Sequence, residues 1–512
     1  MESGAKLIMG AEKVKPLAFL VQGLAAFIIA SLTSLTGFLF AWPSFTMEMF
    51  KSNSTVLSAP MSITQVSLFG SLTNIGALIA TPFCGYAVDK FGRKYSAMIF
   101  GVPFVISWGL ISITKSVNLV LFCMWLAGLG AGGQGVSSVY ISELSQDSIR
   151  GALTSFCVSV YLFGLLFSYI IGGHLSYDHV LYVHFVYSVL YILMLMLLKE
   201  SPVYLLKQGK EKEAAESIAF YRRVNVNSIE VKNEINKIKL QLDPRIDKIL
   251  QGGKDVLIST AMEEHKDIIV QEKKSESPWQ FLIIPSRLAH IHLRLHHHLP
   301  PGRSESSKRA LIAALIVMSV SILMGSVVMQ IYAESLFKQA IPTMHPNTCS
   351  ILLAVDYLLA SAVCACMVDK FGRKALMTTT CVISGVFTIL LGSQLQKRWA
   401  PHWFTAFIIY GYSFVYNLGV AVVPFVLTAE VFLPEIRGLC NSMSMACMWI
   451  MNFIIIFIYN PLVIAFGPGC TFYVFAVVCF TGATYSHFCL PETKGLPADK
   501  IQLLFLKKKY LI

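Results

Sequence analysis

Apolar runs of about twenty residues alternate with short charged breaks along most of this chain, and each run is long enough to cross a bilayer as a helix. Six are predicted before a long polar segment, at roughly 17–41, 65–87, 95–114, 117–139, 152–173 and 180–198. Six follow it, at roughly 310–333, 349–368, 375–394, 403–428, 439–460 and 470–490. The expected fold is an all-α membrane protein of twelve transmembrane helices in two pseudo-symmetric six-helix bundles. The first bundle is expected over 1–198 and the second over 310–490. Between them 199–309 reads as a cytoplasmic central loop, and 491–512 as a cytoplasmic tail.

The symmetry rests on a repeated heptad. Val88-Asp89-Lys90-Phe91-Gly92-Arg93-Lys94 returns letter for letter as Val368-Asp369-Lys370-Phe371-Gly372-Arg373-Lys374. Four of its seven residues are charged, so each copy is a tight basic turn between two spans rather than part of one. Internal repeats of this kind build many transporters. Glu143 precedes Arg150-Gly151 with the same spacing that separates Glu430 from Arg437-Gly438. Lys199-Glu200-Ser201-Pro202 closes the first half, and Pro491-Glu492-Thr493-Lys494-Gly495 the second.

Charge then sets orientation. Lys6, Lys13, Lys15, both heptads, Arg150, Arg437 and Lys507 to Lys509 fall on one face. The opposite loops hold only Lys51, Lys115, Lys338, Lys397 and Arg398, so the basic face is expected to be cytoplasmic, with both termini. The single sequon, Asn53-Ser54-Thr55, lies in the first outer loop and marks Asn53 for glycosylation. The first apolar run lacks a small-residue cleavage site and reads as a span rather than a removable signal.

Composition agrees: 55% of the residues are hydrophobic and 14% charged, where a soluble domain carries about 25% charge. The net charge of +12 suits an anionic membrane leaflet rather than nucleic acid. Catalysis is not expected, since there is no phosphate-binding loop, nucleophile–base pair or metal cluster, and no cofactor is called for. The cysteines show no metal spacing; Cys349 and Cys470, near outer helix ends, are the one candidate disulfide. In the central segment 203–223 and 228–241 read as short amphipathic helices. Residues 285–303, with His296-His297-His298, read as a disordered insertion more than a metal site.

Taken together the repeated motifs resemble the sugar porter family of the major facilitator superfamily, and are similar to insect facilitated trehalose and glucose carriers. The resemblance spans nearly the whole chain outside 285–303. It implies alternating access by rocking of the bundles, in the plasma membrane, with a small-molecule sugar as partner besides the lipid bilayer. It further implies a cytoplasmic charge network: Asp89, Arg93, Glu143, Arg150 and Glu200 meeting in the first half, and Asp369, Arg373, Glu430, Arg437 and Glu492 in the second. Such a network would bias the outward-open state.

For the substrate, the resemblance places Trp449 and Asn452 in span eleven and Asn417 and Phe425 in span ten. Phe425 stands where the family has tryptophan after Pro424. Other sugar contacts are replaced: Val158 stands for a glutamine in span five, and only Gly325 survives of the span-seven pattern. Asp356, beside Tyr357, is an acid at membrane depth, and such acids usually face a cavity. Facilitated diffusion is the expected mode. A proton-coupled symporter, a carrier of another organic solute and a non-transporting sugar sensor remain the alternatives. Asn74, Gln134, His184 and Gln330 are expected to tie helices together, and Met443, Met445, Met448 and Met451 to pack.

Overall fold

The computed structural model describes residues 14–242, 301–432, 434–494, 496, 501 and 504–505. The His296–His298 tract and 285–300 lie outside them, as do the side chains of Asp369 and Arg437. The described residues form helices and connecting turns, with no strand among them.

The first half carries α1 (Pro16–Lys51), α2 (Ile63–Phe91), α3 (Arg93–Ile113), α4 (Val117–Ala131), α5 (Gln134–Leu144), α6 (Asp147–His174) and α7 (Tyr177–Met196). The chain starts α1 with Pro16 at its first turn, where the missing N–H costs nothing. Ser62 and Gln65 open α2 with a reciprocal capping box. Span four is α4 and α5 together, interrupted at Gly132 and Gly133. From Ala25 to Ser44 every residue of α1 but Phe27 and Ile28 is buried, so this helix is central rather than lipid-facing. Its hydroxyls are satisfied locally: Thr33 donates to Ala30 O (2.7 Å) and Cys157 O (2.9 Å), and Thr46 to Trp42 O (2.8 Å).

Three short helices follow between the two sets of spans, α8 (Pro202–Lys207), α9 (Glu211–Arg222) and α10 (Ile229–Leu242). The expected helix over 203–223 is thus broken around Gly209, which has a positive φ. Ile218, Val231, Ile235 and Ile238 close a small core of their own. The shielded Arg222–Glu234 ion pair, at 2.6 Å, ties α9 to α10.

The second half carries α11 (Pro301–Leu323), α12 (Ser326–Ile331), α13 (Ala333–Ala340), α14 (Pro346–Phe371), α15 (Arg373–Lys397), α16 (His402–Val415), α17 (Val423–Val431) and α18 (Pro434–Cys489). Span seven was expected as one run; the chain breaks it at Gly325 and again at Tyr332, turning its outer end into α13. Span ten is interrupted by a π-helical turn, Tyr416–Val420, ahead of Pro424. The 56 residues of α18, some 80 Å of helix at 1.5 Å per residue, are spans eleven and twelve joined at Gly467. With them the described residues provide twelve passes.

The halves meet along α2 against α18 and α6 against α14. Under the internal repeat, span two maps onto span eight and span five onto span eleven, so the two seams exchange. This is the geometry of two bundles related by a pseudo-two-fold axis along the membrane normal.

Candidate functional site

At the heptad end of each half the structure builds the same polar cage. In the first, Arg93 Nη2 reaches Glu143 Oε1 at 2.7 Å, and Nη1 donates to Val88 O at 3.2 Å. Ser201 Oγ donates to the second oxygen of Glu143. Glu200 caps the start of α3, accepting from Arg93 N (2.9 Å) and Lys94 N (3.1 Å), where the helix dipole favours an anion. Gly92 has φ +91°, and a Cβ there would stand 2.5 Å from Glu200 Oε2; both its conformation and its bareness are needed. Burial raises the Glu200 carboxyl, and the N–H groups of Ser201, Lys94 and Arg93 pull it back.

The second cage repeats the arginine–glutamate pair, the hydroxyl on its second oxygen and the glutamate cap. Arg373 Nη2 reaches Glu430 Oε1 at 2.7 Å, and Thr493 Oγ1 donates to Glu430 Oε2 at 2.8 Å. Glu492 accepts from Arg373 N (2.8 Å) and Lys374 N (3.1 Å), and Gly372 has φ +83° with a Cβ position 2.6 Å from Glu492 Oε2.

Two of the five residues expected in the first cage lie elsewhere. Asp89 ends α2 pointing outward and pairs with Lys207 of α8 at 3.5 Å. Arg150, in the first turn of α6, pairs with Asp147 one turn away at 2.6 Å, and Asp147 also pairs with Lys237 of α10. Both are drawn to partners on their own helix or on the central helices α8 and α10. The cages therefore staple helices within a half, while the bond network around them reaches the central helices. Tyr140 and Tyr221 both donate to Lys199 O, and Gln22 Nε2 donates to Gln146 Oε1 at 2.9 Å.

The expected substrate residues fall in two groups. Trp449 and Asn452 are one turn apart on α18, both buried, and Asn452 Oδ1 has no hydrogen-bond partner. Asn417 sits in the π-helical turn with Nδ2 donating to Ser413 O at 2.9 Å, and Phe425 is 38% exposed. Tyr357 is fully buried, and Asp356 is half-buried with Oδ2 unpartnered. Val158 is 55% exposed, an apolar surface at the position of the missing glutamine. Asn53 is exposed in the turn after α1. Cys349 and Cys470 are free thiols; the former is buried in α14, and the latter accepts from Gln396 Nε2 at 3.1 Å.

The halves are joined at the ends opposite the heptads, the side expected to face outward. Tyr161 OH donates to Gln330 Oε1 (3.0 Å), Tyr169 OH to Gln330 O (2.6 Å), Asn347 Nδ2 to Tyr169 O (2.9 Å), and Asn460 Nδ2 to Ser67 Oγ (3.3 Å). The outer seam is closed in this conformation. Gln330, read as a helix tie, ties the two halves; His184 stacks against Phe38 and packs at a tilt of 54° against Trp108 inside the first.

The family profile described as "Sugar (and other) transporter" matches residues 17–262 and 299–505. The chain belongs to the sugar transporter family. It is 24% identical over 498 residues to the facilitated trehalose transporter Tret1 of Aedes aegypti, covering 95% of this chain but 55% of that protein. The chain thus spans about half the length of that relative. To Tret1 of Polypedilum vanderplanki it is 23% identical over 509 residues, covering 97% of this chain and 90% of the other. Among solved structures, the inward open conformation of the xylose transporter XylE from E. coli matches with a TM-score of 0.70 at 20% identity, covering 94% of this chain and 99% of that one. Its partially occluded inward open form matches at 0.68. The fold is the twelve-helix major facilitator fold, and membership of a carrier family makes the protein a transporter rather than an enzyme.

Sequence reasoning passed over Ser201 and Thr493, which share the Glu143 and Glu430 carboxylates with the arginines. Their signal was present: an acid followed by a hydroxyl residue closes both halves.

Proposed function

We propose that this sugar transporter family member moves a sugar of the trehalose or hexose class down its gradient by alternating access. The observation that carries the reading is the buried, unsatisfied Asn452 Oδ1 one turn from Trp449. A buried acceptor without a partner is rare in a finished fold and calls for a ligand or water. A ring to stack on and an amide to receive a hydroxyl are what a sugar needs. The insect relatives named as facilitated trehalose transporters support the substrate class. Membership of the plasma membrane, cytoplasmic termini and glycosylation at Asn53 belong to the same reading, supported by the basic loops and by that residue's outer, exposed place.

Uptake of labelled trehalose, glucose and xylose into proteoliposomes tests it. One of the three is expected to equilibrate without accumulating and without effect of a protonophore. Asn452→Ala is expected to raise KM for that sugar about 5- to 150-fold, the worth of one hydrogen bond of 1–3 kcal/mol. No uptake of any of the three, with the protein shown to be folded, would remove the sugar assignment. Asp356 favours a second reading, proton symport, because an unpartnered carboxylate oxygen inside a span is costly unless it has a task. Accumulation against the gradient, lost on adding the protonophore or in Asp356→Asn, would establish that reading instead.

A further inference from the structure

The outer seam holds two carboxylates from opposite halves. Glu48 lies in the last turn of α1, and Glu334 in the first turn of α13. The backbone N–H of Glu334 donates to Ser44 Oγ of α1 at 3.1 Å, so α13 is docked on the first half at this point. Glu48 has a lysine from each half, Lys51 at 3.9 Å and Lys338 at 3.8 Å. Glu334 has no cation within 4 Å among the described residues, although Lys338 stands one turn along its own helix. Tyr169 of α6 lies on the same seam, its hydroxyl donating to Gln330 O at 2.6 Å. Of the other helices packed on α13, α14 carries Cys349, Asp356 and Tyr357 in the half that begins at this seam, and α16 carries His402, Tyr410 and Tyr412. A cavity of about 140 Å³ beside the seam is lined by Lys51, Ser335, Gln339 and Asn460, with Lys51 and Gln339 exposed at its rim.

We propose that the outer seam is a proton-binding site: the Glu334 carboxylate takes a proton from the outer solution as the halves close over it and returns it as they part. In the closed seam the anion would lose water and face the like charge of Glu48, with Lys338 already engaged elsewhere. Parting the halves removes both penalties at once. Burial first, and Glu48 second, push the Glu334 carboxyl from 4.5 to about 7, while Lys338 pulls the other way. The sign follows. The closed seam binds a proton more tightly than the open one, so acid outside favours closure. Above pH 7 neither state is protonated and the balance does not move. Between pH 7 and the ordinary carboxyl value, the closed-to-open ratio rises about tenfold per unit. The proton enters and leaves on the same side, so the site gates the cycle without coupling it to a proton gradient. It is independent of which solute is carried.

The test uses the full chain in lipid nanodiscs, with a fluorophore pair on non-natural residues at Val56 and Thr343, exposed outer positions in opposite halves. Transfer efficiency is read from pH 5 to 8.5. The expected result is closure as pH falls, with its onset near pH 7. Glu334→Gln, which mimics the protonated form, is expected to stay closed throughout. Glu48→Gln is expected to move the onset to lower pH. The proposal is overturned if the wild type shows no change over this range, if acid opens the seam, or if Glu334→Gln keeps the wild-type pH response. Asp356→Asn is the control for a second acid, and it is expected to leave the onset where it is. Loss of the response in Asp356→Asn alone would also overturn the assignment.

Discussion

Arg93→Ala is expected to cost about 3–5 kcal/mol of stability and to slow transport about tenfold or more at equal surface level. The guanidinium is nearly buried and is the only charged partner of Glu143 within salt-bridge reach among the described residues. Removing it leaves that carboxylate desolvated, held only by Ser201. The loss also frees α5 from α3 at the heptad end. Rocking needs each half to move as one body; a half that yields internally dissipates the motion. Arg373→Ala is expected to act the same way through Glu430, somewhat more weakly, because that pair is more exposed. Arg93→Lys should recover part of the loss, since one ammonium can reach Glu143 but cannot also hold Val88 O in the guanidinium's fork. Thermal unfolding together with flux, for Arg93→Ala, Glu143→Ala and the double variant, separates this from a generic defect. The double variant is expected to fall short of the sum by about 0.5–3 kcal/mol. Strict additivity would mean the two side chains do not work as a pair.

What was legible in the chain follows from what hydrocarbon forbids. A heptad with four charges cannot enter the bilayer, so both turns and the doubling of the fold were readable from letters alone. Arg93, Glu143 and Glu200, and Arg373, Glu430 and Glu492, came together because their spacing places them at the same ends of neighbouring spans. Asp89 and Arg150 did not: Lys207, the partner of Asp89, and Lys237, which holds Asp147 beside Arg150, belong to surface helices packed around a small core of Ile218, Val231, Ile235 and Ile238. Charge pattern carries no information on that docking. Span seven was legible in length and not in shape. A hydropathy run reports that its residues avoid water, and says nothing of the turn at Gly325 that sends α13 across the seam. The seam bonds of Gln330, Tyr169 and Asn347 were hidden for the same reason: a polar residue near a span's end has many possible neighbours until the halves are brought together.

Gly70→Leu is expected to arrest the cycle while leaving both halves folded. A Cβ at position 70 would stand 3.1 Å from Ile331 Cγ2 and 3.1 Å from Ile456 Cγ2, with Tyr332 OH at 3.7 Å. All three of these nearest neighbours belong to the second half, so the added side chain starts into the facing bundle. Gly70 is buried in the closed seam, and there a leucine has no room. Overpacking of this kind costs about 1–3 kcal/mol, and here the cost falls on one conformation only. Parting the outer ends relieves it in full, so the equilibrium shifts toward the outward-open state by about 5- to 150-fold. Flux should fall by a comparable factor, because the closed state becomes the scarce one. The Val56–Thr343 fluorophore pair should report separation at neutral pH, and acid should restore only part of the closure, since the wedge and the Glu334 proton act on the same seam with opposite sign. Binding of the sugar from outside should persist or tighten, which distinguishes a shifted balance from a broken protein. Gly70→Ala sets the scale: a single methyl at 3.1 Å asks its neighbours to yield by a few tenths of an ångström, and its effect should be a small fraction of that of leucine. If leucine and alanine behaved alike, or if leucine lost outside binding along with flux, closure of this seam would not be the step that the chain alternates through.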